Sequence, residues 1–273
     1  MLPETVEVSG EIDPAAEIAV LATPSHAMRE VVAAFPFSPQ TLRVSVAKGI
    51  ENETLLRMSQ VIVEVSGGCP ALVLSGPSHA EEVGRDLPAS VVVAGADPRL
   101  CAKVQEAFLA RTFRVYTCLD LIGVELGGAL KNVMAIAAGI CDGLSLGDNA
   151  KAALITRGLA EMTRLGVAMG AEPLTFAGLS GLGDLVVTCG SRHSRNRSVG
   201  ERLARGETLT SIVEHMTMVA EGVRTTRSTH DLAARYGVEM PITEQVYQVL
   251  FESADPFDAI TQLMTRDARP ERG

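Results

Sequence analysis

Short, nearly continuous apolar runs alternate with amphipathic stretches along the first 118 residues. "EIAVLATPS", "TLRVSVAKG", "ALVLSGPS", "SVVVAG" and "FRVYT" have the length and β-branched content of strands. Between them, "HAMREVVAAF" and "PRLCAKVQEAFLA" have helical texture. This alternation predicts an α/β layer with a largely parallel sheet. Strands apolar throughout predict a sheet covered on both faces.

From about Asp120 the period becomes helical. "NAKAALITRGLAEMTRLGVAMG" places Leu154, Ile155, Leu159, Met162 and Leu165 on one stripe, with Asp148 or Asn149 as N-cap. Arg157 and Glu161 stand four apart on the opposite side. "GVEMPITEQVYQVLF" predicts a later helix starting at Pro241. No repeat or low-complexity linker interrupts the chain. The expected division is an α/β part over 1–118 and an all-helical part over 119–273. An α/β region ahead of a helical one invites a search for G-x-G-x-x-G after a strand. The sequence contains none. "GLSGLGD" (178–184) has its glycines in the wrong order and falls in the helical part.

Composition narrows the function classes. A net charge of −9 over 273 residues disfavours nucleic acid and anionic membranes as partners, but leaves room for a local anion site. Cys69, Cys101, Cys118, Cys141 and Cys189 are odd in number, scattered and without C-x-x-C, which predicts reduced thiols and a cytoplasmic protein. The five histidines show no ligand spacing, so no metal is expected. "MLPETVEVSGEIDP" lacks the apolar core of a signal peptide. The most apolar run, "VMAIAAGIC", is too short to cross a bilayer.

Lysine is scarce. Against twenty arginines the chain has only Lys48, Lys103, Lys131 and Lys151. Lys131 lies in "GGALKNVMAIAAGICDG", where Gly127, Gly128, Met134 and Ala135 are its helical neighbours. No local carboxylate pairs with it. Glycines in the surrounding helix, each unfavourable by ~1 kcal/mol, point to close approach of a backbone or ligand. A desolvated lysine here serves as proton donor or acceptor; a snorkelling lysine at a helix edge fits the spacing equally well.

Three further groups stand out. In "GLSGLGDLVVTCGSRHSRNRSVG", Asp184 follows a glycine turn, and Ser194, Arg195, Asn196 and Arg197 open a helical run. That composition suits a phosphate monoester, or alternatively an ordinary capped, solvated turn. His193 reads as incidental. Lys48, Gly76 and Ser78 lie just past strands, where ligands of α/β sheets bind, although Ser78 could simply cap the helix that follows. Glu221 in "VAEGVRTT" faces a cleft or ends a helix.

Taken in order, "VAKGIE", "LSGPSHAEE", "FRVYTCLDLIGVELGGALKNVMAIAAGICDGL", "GLSGLGDLVVTC", "SRNR", "VAEG" and "GVEMPITEQVYQVL" resemble bacterial NAD(P)-dependent glycerol-3-phosphate dehydrogenases over residues 17–265. The resemblance implies a Rossmann-type, doubly wound sheet followed by an all-α domain. It implies interconversion of sn-glycerol 3-phosphate and dihydroxyacetone phosphate for glycerophospholipid synthesis, with NAD or NADP as cofactor. By position it makes Lys131 the catalytic lysine. It assigns Lys48, Gly76, Ser78, Lys131, Asp184, Ser194, Arg195 and Asn196 to the phosphate substrate, and Lys48, Ala80, Arg195, Val219 and Glu221 to the dinucleotide. The family's helical domain is compatible with a homodimer.

The resemblance begins after the family's glycine-rich first turn and second strand, so the sheet is expected to be incomplete, with weak dinucleotide binding and an apolar open edge. A non-catalytic remnant that keeps the phosphate pocket is the alternative. Membership of the wider β-hydroxyacid dehydrogenase-like group is a third reading, which "SRNR" and "LSGPS" disfavour.

Overall fold

The computed structural model describes residues 6–13, 15–35, 37–216, 219–268 and 270–271. Part of the N-terminal stretch read above, residues 1–5 and Pro14, lies outside them.

The five apolar runs form one sheet in the order β1 (Ile18–Leu21), β2 (Leu42–Ser45), β3 (Ala71–Ser75), β4 (Ala89–Ala94), β5 (Phe113–Cys118). The pairs β1–β2, β2–β3 and β4–β5 are parallel. β3 and β4 run antiparallel, with Leu74 opposite Val93. Helices cover both faces, as apolar strands require. On one, α1 (Met28–Ala34) and α2 (Met58–Val65) bury Met28, Val32, Met58, Val61 and Ile62 against Leu21 and Ala71. A short α3 (Ala80–Val83) follows β3. On the other face α4 (Pro98–Phe108) seats Cys101 and Val104 on Val44, Leu72, Val91, Val93 and Val115. β1 forms one edge; Ala19 and Leu21 are buried there and Val20 is half-exposed.

The second half is organised around α5 (Leu121–Gly143), whose residues are buried from Gly123 through Cys141. Among the described residues it is the one helix long and apolar enough to cross a membrane, but 89% of the relevant window is buried in this protein's own core. Around it pack α6 (Gly147–Ala168), α7 (Asp184–Gly190), α8 (Arg195–Ala204), α9 (Leu209–Glu214), α10 (Glu221–Tyr236), α11 (Pro241–Phe251) and α12 (Pro256–Met264). The glycines of α5 meet protein, which decides between backbone and ligand as their neighbour. A Cβ at Gly139 would lie 1.9 Å from the Arg197 carbonyl, and one at Gly200 would lie 1.9 Å from the Ile136 carbonyl. The α5 and α8 backbones therefore touch, which fixes the register of Ser194–Asn196 against Lys131.

Two buried glutamates tie the long helices to the starts of others. Glu125 accepts from the Ser59 amide (2.8 Å) and hydroxyl (2.7 Å) at the head of α2. Glu161 accepts from the amides of Ile242 (2.7 Å) and Thr243 (3.3 Å) at the head of α11. Amides at a helix start lack intrahelical partners, so a carboxylate there satisfies them and meets the positive end of the dipole. This corrects the sequence reading of Glu161 as a surface partner of Arg157. Glu161 is 2% exposed, and Arg157 reaches Glu271 instead. The start of α6 also differs from expectation. Ser145 (φ 55°) and Gly147 (φ 82°) turn the chain early, so the helix begins ahead of Asp148, which lies in its first turn.

Candidate active site

Burial, a fixed hydrogen-bond chain and one carboxylate define the environment of Lys131. The residue is 5% exposed, so it does not snorkel. Its Nζ donates to Thr188 Oγ1 at 2.6 Å and lies 3.0 Å from Asp184 Oδ1. Thr188 Oγ1 donates in turn to the Asp184 carbonyl at 2.6 Å. Asp184 opens α7 and Thr188 lies one turn on, so a single helix presents both to Lys131. Desolvation lowers the Lys131 ammonium from 10.5 to about 8, further depressed by Lys48 and only partly offset by Asp184. Burial pushes the Asp184 carboxyl upward, but Lys131 and Lys48 together outweigh it and hold it below the ordinary aspartate range.

Lys48 joins the same centre from the α/β side. It follows β2 and donates to Asp184 Oδ2 at 2.5 Å and to the Gly76 carbonyl at 2.9 Å. Gly76 adopts φ +136°, and a Cβ there would press to 3.0 Å from Val91 Cα, so only glycine lets the carbonyl face Lys48. Asn132 Nδ2 donates to the Lys48 carbonyl at 3.1 Å, fixing the loop that carries the lysine. Ser78 does not cap α3 as one sequence reading allowed. Its hydroxyl donates to the Gly76 carbonyl at 3.1 Å, and His79 occupies the cap position without a side-chain bond.

The Ser194–Arg195–Asn196 trio heads α8. Ser194 is its N-cap, accepting from the Arg197 amide at 3.2 Å. Arg195 is exposed and donates to the Val219 carbonyl at 2.9 Å, which brings two predicted dinucleotide contacts together. Asn196 is buried and accepts from the Gly222 amide at 2.9 Å. Ala80 lies exposed at the start of α3. Glu221 begins α10 rather than ending a helix, and its carboxylate accepts from the Ser25 amide (3.0 Å) and hydroxyl (2.6 Å). A contact expected for a dinucleotide is thus also a clasp between the turn after β1 and the helical half.

Sequence reasoning missed Thr188 and Ser25. Thr188 was legible in principle, four residues after Asp184 on the same helix face. Ser25 was not, because its partner is 196 residues away.

The chain matches the sequence model of the NAD-dependent glycerol-3-phosphate dehydrogenase C-terminus over residues 120–261 and that of the corresponding N-terminus over 1–101. It belongs to the NAD-dependent glycerol-3-phosphate dehydrogenase family. "Glycerol-3-phosphate dehydrogenase [NAD(P)+]" of Pelotomaculum thermopropionicum is 54% identical over 97% of this chain and 78% of its own length. The protein of that name from Desulfitobacterium hafniense is 52% identical over 99% of this chain and 78% of its own length. The crystal structure of glycerol-3-phosphate dehydrogenase from Coxiella burnetii superposes with a TM-score of 0.88, at 39% identity, over 92% of this chain and 77% of that one. Membership in the family agrees with the Rossmann-type sheet and the helical second half.

A dinucleotide carries phosphates, which an exposed cation and free backbone amides hold. Arg195 carries an exposed guanidinium at the head of α8, bonded to the carbonyl of the partly exposed Val219, and Ala80 lies exposed at the start of α3. An exposed cation beside small and apolar side chains is chemistry compatible with a dinucleotide.

Proposed function

We propose that this protein is an NAD(P)-dependent glycerol-3-phosphate dehydrogenase that interconverts sn-glycerol 3-phosphate and dihydroxyacetone phosphate, supplying glycerophospholipid synthesis. The observation that carries this reading is the buried Lys131, lowered to about 8 and held against Thr188 and Asp184. Its neutral amine accepts the proton from the C2 hydroxyl during oxidation, and its ammonium returns a proton to that oxygen during reduction. Arginine in this place would stay protonated. A bound nicotinamide supplies the hydride chemistry at C2. Arg195, Ala80, Val219, Glu221 and Lys48 would hold it, as either NAD or NADP.

The substrate's phosphate sits at the head of α8, on Ser194, Arg195 and Asn196, where helix amides and a guanidinium favour an anion. Binding there orients C2 toward Lys131. Lys48, Gly76, Ser78 and Asp184 complete the substrate side. In this reading residues 1–118 form the dinucleotide part and 119–273 the substrate part. The protein works as a cytoplasmic homodimer with neither nucleic acid nor membrane as partner, in keeping with its net charge of −9 and five free cysteines.

A second reading, a phosphate-binding protein without turnover, draws on the lack of any G-x-G-x-x-G in the sequence. Assaying dihydroxyacetone phosphate reduction with NADH and with NADPH, beside calorimetric titration of glycerol 3-phosphate, decides. Turnover that Lys131→Ala abolishes supports the dehydrogenase; phosphate binding without turnover by either nicotinamide supports the second.

A further inference from the structure

Buried polar side-chain atoms in folded proteins almost always have a partner, so an orphan beside an active site points to a ligand. Among the described residues, His79 Nε2 is such an atom: buried, and without a hydrogen-bond partner. His79 heads α3, directly after Ser78 in the turn beyond β3. Its ring centroid lies 6.3 Å from that of His193, which immediately precedes Ser194 at the head of α8. Two imidazoles, one from the sheet's strand-end turn and one from the loop that leads into α8, therefore lie side by side, the second a single residue before Ser194.

We propose that His79 is a further substrate-binding residue, donating from Nε2 to an oxygen of the substrate's phosphate as it lies on the head of α8. This rests on the reading of Ser194–Arg195–Asn196 as the phosphate cradle. The charged groups acting on His79 are Lys131 of α5, Asp184 of α7, and Glu81 and Glu82 of its own helix, with His193 alongside. Desolvation, then Lys131, lower its pKa, which favours the neutral imidazole in the free protein. Neutral imidazole adds no third cation beside Lys131 and Lys48, and still carries one N–H. A phosphate dianion placed against it favours the imidazolium, so binding raises the His79 pKa. Selectivity follows: the dianion of a phosphate monoester gains from this contact, and free glycerol does not.

The test is calorimetric titration of glycerol 3-phosphate, and of inorganic phosphate, into wild type, His79→Phe, His79→Gln and Arg195→Ala. The His79 Cε1–H resonance is followed against pH with and without phosphate. Phenylalanine keeps a ring and loses the donor, and is expected to weaken binding about tenfold, the scale of one hydrogen bond to a charged group. Glutamine restores a donor and is expected to bind within about threefold of wild type. The His79 pKa should rise on adding phosphate. Weakening in Arg195→Ala with wild-type affinity in His79→Phe overturns the His79 contact and leaves the cradle standing. Wild-type affinity in both overturns the cradle and the contact together. Equal weakening by Phe and Gln, or a His79 resonance whose pKa ignores phosphate, also overturns the contact, whatever the variants' stability.

Discussion

The Lys131 ammonium lies 3.0 Å from the Asp184 carboxylate in surroundings that leave the lysine 5% exposed. Burial disfavours the charge on Lys131 and the aspartate favours it; burial is the larger effect, so the lysine settles near the pH at which an enzyme can use it both ways. A carboxylate shared between Lys131 and Lys48 is what makes two buried or half-buried cations tolerable side by side.

The pH profile should follow directly. Ketone reduction needs the ammonium, so its rate should hold below about 8 and fall above, whereas alcohol oxidation needs the amine and should rise through about 8. Asp184→Asn removes the one anion that opposes desolvation, so both limbs should move to lower pH. Lys131→Ala should lower turnover by about 100- to 10,000-fold in either direction. Initial rates in both directions across pH 6–10 (roughly the window that general acid–base catalysis by such a lysine spans) check all three.

Thr188→Val keeps the shape and removes the acceptor that aims Lys131 Nζ at 2.6 Å. Turnover should fall about tenfold while KM for glycerol 3-phosphate stays within about twofold, because orientation of the acid is lost and the phosphate cradle is not touched. Steady-state kinetics at fixed nicotinamide separate the two parameters.

Gly139→Ala places a Cβ 1.9 Å from the Arg197 carbonyl, so α5 and α8 must part. The expected loss is about 3 kcal/mol or more, in the range of overpacked cores. Gly190→Ala, with nothing within 4 Å of the added carbon, should stay within about 0.5 kcal/mol of wild type. Urea denaturation of the two variants makes the comparison.

Glu161 gives stability its own pH dependence. Desolvation raises its carboxyl from 4.5 to about 7, against the opposing pull of the Ile242 and Thr243 amides. The folded protein therefore holds this proton more tightly than the unfolded chain does. The resulting stability is complete below about 4.5 and is lost as pH rises through about 7, a change of about 3 kcal/mol. Glu161→Gln should flatten that part of the curve, read from denaturant midpoints between pH 4.5 and 7.5 (roughly the span between the two titrations).

The strand runs, the long helix around Lys131 and the helix at Pro241 were legible because each is carried by local periodicity or a local breaker. The scarcity of lysine was also informative: three of the four lysines are held by a partner of low or intermediate exposure, Lys48 and Lys131 on Asp184 and Lys151 on Asp142. Glu161 was misread because a glutamate at i, i+4 from an arginine looks alike whether it faces water or the head of another helix. Ser194 caps α8, as one of its two sequence readings expected; the anion-cradle reading of the same position belongs to the proposed function.

By itself the sequence determined the α/β-then-helical order, the strand positions and the candidacy of Lys131, all of which depend on residues near one another in the chain. Only the tertiary structure decided what Lys131 meets, because Asp184 and Thr188 arrive on a separate helix, and that Ser25 closes on Glu221 across 196 positions. Periodicity states which face of a helix is buried and is silent about which group waits there. Desolvation, and with it the pKa that makes a lysine an acid–base catalyst, exists only once that burial is complete.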